Sequence, residues 1–284
     1  MFTNKMVSIA AVIVIFNPDS ILIDSVIELS KQVKKIFLID NCSESRAYIE
    51  SIAGLNIDGL EFVLLDNNYG IGYALNRGAE LAADSGYTWL LTLDQDTIIP
   101  PDYIDNVITF VNGHENIFSV CARYGDFKDD GINIPYQKIL YSITSGHVLS
   151  IEKLKSVGGY DEELFIDGVD FDIFLKLKLH GVDTYLLNSY FLKHRLGDES
   201  ISFPFLNRVH TYHSPLRRYY IYRNTIVLAK RYYAHFTIFV VKSIIASCLY
   251  LLTILFLGRR RKDSLKMIVL GLLDGVRGKL GKKI

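Results

Sequence analysis

The sequence predicts an α/β protein with a mainly parallel sheet that is flanked by helices. Short apolar runs, typical of buried strands, lie at 7–16, 35–40, 61–65, 88–93 and near 117–122. Helical patterns separate them at about 20–33, 70–85 and 101–112. Strands that alternate with helices in this way usually form parallel sheets covered on both faces. With 284 residues, half of them hydrophobic, the chain is long enough to bury such a core.

The second half of the chain is less regular and then changes character. An irregular section at 123–150 precedes a helix near 151–157, a Gly158-Gly159 turn and a helix from about Val169 to Gly181. From residue 203 onward the composition is basic, aromatic and aliphatic. We therefore expect a globular domain at 1–202 and a helical region at 203–284.

The zero net charge conceals an unequal division of the charges. Residues 1–202 contain 15 Lys and Arg against 29 Asp and Glu, a net of −14. Residues 203–284 contain 16 against 2, a net of +14. This division predicts an acidic body that could hold a metal ion and a tail that seeks anions. Because the tail is also apolar, an anionic membrane surface is favoured over nucleic acid, for which no reading motif is visible.

The N-terminal apolar run at 6–16 has two interpretations. It could be the core of a secretory signal, but it continues into Asn17-Pro18 without a small-residue cleavage site. A buried first strand is therefore the stronger interpretation. The cysteines at 42, 121 and 248 have no disulfide or metal spacing, which favours reduced thiols in a cytosolic protein.

Polar residues follow each of the first four predicted strands. They are Asn17-Pro18, Asp40-Asn41, Asp66-Asn67-Asn68 and Asp94-Gln95-Asp96. Ligands of open α/β sheets bind beyond the carboxyl ends of the strands, so these residues predict a binding site, although each one alone could be turn chemistry.

Asp94 and Asp96 are candidate metal ligands. Alternate residues of a strand share one side, so both carboxylates could enter one site. Carboxylate oxygens suit Mg²⁺ or Mn²⁺, which commonly bridge to a substrate diphosphate. The alternative is a helix N-cap ahead of Pro100-Pro101.

The segment from Asn68 to Gly78 is a glycine-containing loop that enters a helix. Gly70 and Gly72 would let the backbone approach a ligand, and a helix N-terminus favours negative charge. The spacing is not that of the dinucleotide motif. A helix packed tightly against the sheet explains the glycines equally well.

Several acids surround the predicted helix start near Val169. Some of them must be simple caps, but one carboxylate near a metal-bound diphosphate could act as a general base on a hydroxyl group. The acids of this segment are Asp161, Glu162, Glu163, Asp167, Asp170 and Asp172. His194 could complete a metal shell, although a single histidine is more often structural.

These motifs, in this order, resemble those of the family 2 glycosyltransferases with the GT-A fold, in particular the bacterial rhamnosyltransferase branch. The resemblance spans roughly residues 7–225. It implies a nucleotide-sugar site formed by Asn17, Pro18, Asp40, Asn68, Gly70, Gly72, Asn76 and Asp94, with Asp40 on the base. It also implies a metal site, for Mn²⁺ or Mg²⁺, formed by Asp94, Asp96 and the late histidine, His194.

The resemblance implies an inverting transfer with Asp170 as the catalytic base. The family usually has Glu-Asp at this place, whereas this chain has Val169-Asp170, which leaves Asp167 and Asp172 as substitutes. The string from Phe165 to Asp170 is similar to the rhamnosyltransferase version and favours dTDP-rhamnose as donor. A UDP-hexose donor such as UDP-galactose or UDP-glucose is the alternative, and a non-catalytic nucleotide-sugar binding protein is another.

The tail predicts an acceptor at the membrane. Arginines and tyrosines at 217–224 suit a diphosphate on a lipid-linked saccharide acceptor, with Asp167, Arg218, Tyr219 and Arg223 as candidate contacts. A helix face that merely packs on the catalytic domain is the alternative. Such an acceptor would place the enzyme in bacterial cell-surface polysaccharide synthesis. The oligomeric state, including a homodimer, stays open.

Two apolar segments in the tail predict attachment to the cytoplasmic face of the plasma membrane. Thr237–Leu257 would extend roughly 30 Å as a helix, enough to span a bilayer. Residues 264–280 form an amphipathic pattern with strong positive charge, which opposes translocation. Helices that lie in the cytoplasmic leaflet explain both segments, and one transmembrane helix is the second choice.

Overall fold

A computed structural model describes residues 7–125, 134–194, 200–202, 209–211, 213–257 and 260–283. The chain divides into two compact units. The first unit contains Met1–Tyr160 and Ile173–Arg195, and the second contains Asp161–Asp172 and Leu196–Ile284. The chain passes from one unit to the other within a single helix at 169–179. A functional division at residue 202 stays a prediction.

The first unit is built on one mixed sheet of nine strands within the described residues. The strands are β1 (Ile9–Ile15), β2 (Ile36–Asp40), β3 (Leu60–Leu64), β4 (Trp89–Asp94), β5 (Thr97–Ile98), β6 (Ser119–Tyr124), β7 (Tyr136–Ile139), β8 (His147–Ser150) and β9 (Thr184–His194). Their order is β3-β2-β1-β4-β8-β6-β9-β5, and β7 also pairs with β9. The strands β3, β2, β1 and β4 are all parallel, as predicted.

The described residues of the first unit contain the helices α1 (Ile21–Ser30), α2 (Ala47–Ala53), α3 (Ile71–Asp84), α4 (Tyr103–Gly113) and α5 (Ile151–Ser156). The helix α6 (Val169–Leu179) begins in the second unit and continues into the first. The central strands β1 and β2 are buried along nearly their whole length. That burial is why they read as continuous apolar runs rather than as alternating ones.

The α/β prediction is confirmed, but the sheet is less parallel than expected. The strand β8 runs antiparallel to both β4 and β6, and β5 and β7 run antiparallel to β9. The sequence pattern did not predict β5, β7, β8 or β9. The strand β8 does not form a continuous apolar run, because it contains the polar residue His147. This residue is fully buried, and its Nε2 forms a hydrogen bond with Ser119 Oγ at 2.8 Å. Burial of this imidazole lowers its pKa to about 3, so the ring is neutral.

The second unit is mainly helical. It contains a 3₁₀ turn at Glu162–Leu164, the antiparallel pair β10 (Ser200–Ser202) and β11 (Val209–Thr211), and the helices α7 (Pro215–Tyr232), α8 (Thr237–Leu257) and α9 (Arg261–Arg277). The helices α7 and α9 cross closely. A Cβ atom added at Gly271 would lie 2.4 Å from the carbonyl oxygen of Tyr219, and one at Gly275 would lie 2.7 Å from that of Arg223.

The helix α8 is the apolar segment predicted from the sequence. Within the described residues, one helix, at Thr237–Phe256, is long and apolar enough to cross a membrane, by length and composition alone. Most of it is not buried in the protein, and Ile238, Ile245 and Phe256 are well exposed.

Candidate nucleotide-sugar site

The carboxyl ends of four parallel strands lie side by side in the first unit. In the register of the sheet, Ile15 of β1 pairs with Asp40 of β2, and Asp40 pairs with Leu64 of β3. On the other side of β1, Val14 pairs with Asp94 of β4. The polar loops after these strands therefore start at one level, as is typical of ligand sites in open α/β sheets.

The loop after β1 is tied to both of its neighbours. The amide of Phe16 donates to Gln95 Oε1 at 2.8 Å, which joins it to the loop after β4. The amide of Asn17 donates to Ser43 Oγ at 2.8 Å, and Asn17 Oδ1 accepts from the amide of Glu44 at 2.8 Å. Asn17 has a φ of 49°, a left-handed conformation that asparagine tolerates better than most residues. Asn17-Pro18 thus shapes this edge, and its contact with a nucleoside stays a prediction.

Asp40 is buried at the end of β2, with 1% of its surface exposed. Its Oδ1 accepts from the amide and the hydroxyl of Ser43 at 2.9 and 2.6 Å. Its Oδ2 accepts from Arg46 Nε at 3.1 Å. The carboxylate therefore organises the loop from residue 40 to residue 46, and its proposed contact with the base stays a prediction.

The loop after β3 is fixed by two asparagines. Asn68 Oδ1 accepts from Asn41 Nδ2 at 3.1 Å and from the amide of Gly70 at 3.0 Å. Asn41 Oδ1 in turn accepts from the amide of Tyr69 at 2.9 Å. Gly70, with a φ of 89°, stands immediately before α3, where a side chain would be strained. The loop is thereby held in one conformation at the N-terminus of α3.

The helix α3 shows the packing role that the sequence left open for its glycines. A Cβ atom at Gly78 would lie 2.5 Å from Val12 Cγ1, so Gly78 serves the packing of α3 on β1. The side chain of Asn76 forms two hydrogen bonds with the backbone of Tyr160. Its Nδ2 donates to the Tyr160 carbonyl at 2.9 Å, and its Oδ1 accepts from the Tyr160 amide at 2.9 Å. These bonds give Asn76 a structural role. Its predicted role in nucleotide-sugar binding, and those of Asn68, Gly70 and Gly72, stay predictions.

An aromatic pair of one exposed and one half-buried tyrosine, Tyr69 and Tyr73, lies at the same edge and was not singled out from the sequence. Tyr69 is 39% exposed, and its ring centroid lies 4.7 Å from that of Tyr73. The Tyr69 hydroxyl donates to Asp66 Oδ1 at 3.0 Å, and this bond raises the pKa of the phenol. Aromatic faces are suited to stacking on a nucleobase. The only signal for this pair in the sequence was the i,i+4 spacing of the two tyrosines at a strand–helix junction.

Asp94 lies at the end of its strand, as predicted, whereas Asp96 lies beyond the strand. Asp94 ends β4, and its amide donates to Ser145 Oγ at 3.0 Å, which in turn donates to Thr97 Oγ1 at 2.8 Å. Asp96 lies in the turn between β4 and β5, so the argument from strand alternation does not apply to it. Both side chains are half-buried at the carboxyl edge of the sheet.

The predicted third metal ligand lies on the neighbouring strand. The backbone of His194, at the end of β9, pairs with Thr97, the residue after Asp96. The side chain of His194 lies outside the described residues. Among the residues that are described, no three His, Cys, Asp or Glu side chains are grouped as a metal site. Two carboxylates with substrate phosphates are nonetheless a usual ligand set for Mg²⁺, so the residues present fit such an ion.

The proposed base, Asp170, lies in the second unit. It is the second residue of α6 and is half-buried. The residues just before it adopt unusual backbone conformations, since Phe165, Asp167 and Gly168 have φ values of 63°, 62° and 86°.

The two substitutes for Asp170 are both engaged by arginines of α7. Asp172 is fully buried and accepts from Arg231 Nη1 at 3.1 Å and from the hydroxyl of Tyr232 at 2.8 Å. Asp167 accepts from Arg217 Nε and Nη2 at 3.1 to 3.2 Å. Burial raises the pKa of Asp167, and the guanidinium of Arg217 opposes that rise. The structure therefore gives both acids ion-pair partners inside their own unit.

The arginines and the tyrosine proposed for the acceptor have internal contacts. Arg218, Tyr219 and Arg223 are all buried. Arg218 Nη1 donates to Ser264 Oγ, and the Tyr219 hydroxyl donates to Asp274 Oδ2 at 2.8 Å. These contacts match the alternative that this face of α7 packs inside the fold, and a contact with the acceptor stays a prediction. Arg217, whose side chain is 47% exposed, is the arginine of this cluster that reaches solvent.

Comparison with known proteins identifies the family. Residues 11–166 match the family described as glycosyl transferase family 2, and this match runs from β1 through β8 and α5 and ends before α6. The chain belongs to glycosyl transferase family 2. The dTDP-rhamnosyl transferase RfbF of Shigella flexneri is 25% identical over 294 residues, which cover 96% of this chain and 97% of that protein. The chain is therefore a nucleotide-sugar glycosyltransferase with a rhamnosyltransferase homologue.

Solved structures show the same GT-A-like fold. GalNAc-T7 with UDP, GalNAc and Mn²⁺ matches with a TM-score of 0.58 and 15% identity over 67% of this chain. This chain spans 44% of the length of that structure. S. aureus TarS 1–349 with UDP-GlcNAc matches with a TM-score of 0.55 and 14% identity, over 96% of this chain and 73% of that one. At such identities, the likeness concerns the fold alone.

Proposed function

We propose that this glycosyltransferase moves L-rhamnose from dTDP-rhamnose to a lipid-diphosphate-linked saccharide in the synthesis of a bacterial cell-surface polysaccharide. The observation that carries the donor assignment is the similarity to a dTDP-rhamnosyl transferase along nearly the whole of both chains. The string from Phe165 to Asp170 supports the same assignment. A UDP-hexose donor is the second candidate, because two of the structural relatives are described with UDP or a UDP-sugar.

The proposed reaction is a single inverting displacement. The Asp170 carboxylate takes the proton of the acceptor hydroxyl, and the hydroxyl oxygen forms a bond to the anomeric carbon on the face opposite the nucleotide. The bond from that carbon to the nucleotide diphosphate breaks, and the diphosphate leaves with the electron pair. Asp94 and Asp96 would hold Mn²⁺ or Mg²⁺, whose chemistry is to neutralise the charge that develops on the leaving group. The loops that carry Asn17, Asp40 and Asn68 would bind the nucleoside.

A donor screen tests this proposal. The purified full chain is incubated with Mn²⁺ or Mg²⁺, a synthetic lipid-diphosphate saccharide and one donor at a time. We expect dTDP-rhamnose to give the highest acceptor-dependent release of nucleotide diphosphate, with product of inverted anomeric configuration. Release from UDP-glucose or UDP-galactose alone would reassign the donor. Donor binding without release from any of them would favour a non-catalytic binding protein.

We also propose that the tail attaches the enzyme to the cytoplasmic membrane surface. One face of α9 packs on α7 through Gly271 and Gly275, whereas Val269, Leu273 and Val276 on the opposite face are exposed. Basic residues accompany this apolar stripe, with Lys262, Lys266 and Arg277 all exposed. An exposed apolar stripe with flanking cations is typical of a helix that lies in an anionic interface. Exposed aliphatic side chains along α8 support the same location.

Vesicle flotation tests the membrane proposal. We expect binding to anionic phosphatidylglycerol vesicles that weakens with added salt, and much weaker binding to neutral vesicles. Leu273→Asp combined with Val276→Asp should reduce binding at least about tenfold, since an apolar stripe contributes through its buried area. Leu179→Ser, at an exposed leucine of α6, is the matched control. Equal binding of the double variant would contradict the role of α9, and carbonate-resistant insertion with a protected C-terminus would favour a spanning α8.

A further inference from the structure

Two adjacent buried side chains of α7 hold the backbone that leads into the proposed base. Asn224 Nδ2 lies within hydrogen-bond distance of the carbonyl oxygens of Leu164, Ile166 and Asp167, at 2.9, 2.9 and 2.6 Å. Arg223 Nη2 donates to the carbonyl of Leu164 at 2.8 Å, and Arg223 Nε donates to Asn224 Oδ1 at 2.8 Å. The Arg223 guanidinium therefore orients the side-chain amide of Asn224, and Asn224 Nδ2 lies close to three backbone carbonyl oxygens.

The segment that Asn224 holds would not keep its shape by itself. Phe165 and Asp167 are non-glycine residues at positive φ, an unfavourable conformation that persists only where the surrounding structure imposes it. Gly168, also at positive φ, is closely packed, since a Cβ atom there would lie 3.4 Å from Asn224 Cβ and 3.2 Å from Leu228 Cδ1. The carbonyl of Gly168 then accepts the amide of Asp172 at 3.0 Å, in the first turn of α6. Asp170 lies between these two residues.

The C-terminal end of α7 also holds residues on either side of this segment, Asp161 and Asp172. Arg231 Nη1 bonds to Asp161 and to Asp172, and the hydroxyl of Tyr232 donates to Asp172 Oδ1. The C-terminal residues add one more bond, because the amide of Gly281 donates to the carbonyl of Glu163 at 2.7 Å. Every one of these contacts lies within the second unit. The backbone around Asp170 is thus held from residue 161 to residue 172 by the tail.

We infer that Asn224 is a positioning residue that sets the orientation of the Asp170 carboxylate by holding the backbone of residues 164–168. This inference rests on the proposed function, in which Asp170 is the base. It assigns the Arg223-Asn224 pair a role other than acceptor binding, and it makes the basic tail part of the catalytic apparatus as well as the membrane-attaching region.

The test compares Asn224→Ala with Thr225→Val in the full chain. Thr225 is a half-buried residue of α7 whose hydroxyl donates to the carbonyl of Ile221 at 2.8 Å, so this control also loses a bond to a backbone carbonyl, but one within α7. The measurements are kcat with dTDP-rhamnose and the synthetic lipid-diphosphate saccharide, the Kd of dTDP with Mn²⁺, the melting temperature, and hydrogen–deuterium exchange of residues 165–172.

For Asn224→Ala we expect kcat to fall by about 30-fold or more, since a misplacement of about 1 Å can cost about 100-fold in rate. The Kd of dTDP should change less than about twofold, and amide exchange should rise at 165–172, whereas Thr225→Val keeps its kcat within about threefold. A kcat of Asn224→Ala within threefold of the control, or a loss of dTDP affinity equal to the loss of kcat, would overturn the inference. If Asn224→Ala does not fold, Asn224→Ser, which keeps one donor, is judged by the same criteria.

The outcome is separable from that of the proposed function. Transfer by the wild type together with an inactive Asp170→Asn variant supports the base assignment, whatever Asn224→Ala does. A normal rate for Asn224→Ala in that situation removes the positioning role alone. A normal rate for Asp170→Asn removes the base assignment itself.

Discussion

Replacement of Asp170 by asparagine is expected to lower kcat by about 10³-fold, because a carboxylate that removes a proton in the transition state contributes about 10²–10⁴-fold to the rate. Asparagine has almost the same shape but cannot accept the proton. The nucleotide sugar should still bind, since its predicted contacts lie at the strand ends of the first unit. The measurement is steady-state release of nucleotide diphosphate in the presence of acceptor, with the Kd of dTDP determined in parallel.

The fold should tolerate this change. Asp170 is half-buried in the first turn of α6, where its negative charge stabilises the helix by about 0.3–1 kcal/mol through the helix dipole. Loss of that term lowers the melting temperature only slightly. Asp105→Asn is the matched control, because Asp105 is an exposed acid in the first turn of α4. It should lose the same helix-dipole contribution and keep its kcat within about twofold.

A rate above one tenth of the wild-type rate in Asp170→Asn would show that the base assignment is wrong. The neighbouring acids would not be equivalent replacements. Asp172 is fully buried against Arg231 and Tyr232, whereas Asp167 is only partly buried and its pKa is raised by burial. A carboxyl with a raised pKa is a better proton acceptor once ionised, so Asp167→Asn would be the next variant to measure.

The sequence predicted the parallel part of the sheet because its strands are buried on both faces. Strands such as β1 and β2 leave unbroken runs of aliphatic residues, and the helices between them repeat with the proper period. The antiparallel strand β8 was missed for a physical reason. It contains only four residues, of which His147 and Ser150 are polar and yet buried. The partner that makes His147 tolerable, Ser119, is 28 residues away and cannot be inferred from spacing.

The ends of the strands were predicted more accurately than the contacts of the side chains beside them. The strand ends at Asp40 and Asp94 were predicted as they stand, since a polar residue after a buried strand is a local signal. The partners of Asn76 and Arg223 were not, because they lie 84 and 59 residues away in the chain. A pattern of residue types shows which side chains are able to bind phosphate or sugar. Only the fold shows which of them are already occupied by backbone carbonyls.

Replacement of Asp96 by alanine is expected to lower kcat about 100-fold at low Mn²⁺ concentration, because loss of one ligand weakens a site that relies on few protein oxygens. Asp96 lies in the turn between β4 and β5, so alanine removes a carboxylate without opening the buried sheet. The measurement is the rate as a function of Mn²⁺ concentration, with EDTA-treated wild type for comparison. Asp102→Asn, at an exposed acid before α4, is the control.

The shape of the Mn²⁺ dependence distinguishes a metal ligand from a residue that merely supports the turn. A weakened ligand set shifts the half-saturating Mn²⁺ concentration upward, so an excess of metal should restore part of the rate of Asp96→Ala. A distorted turn would lower the rate at every concentration without that shift. Unchanged activity of the wild type in EDTA would contradict the metal role of Asp94 and Asp96 together. In that case, the charge on the leaving diphosphate would have to be stabilised by cationic side chains or backbone amides instead.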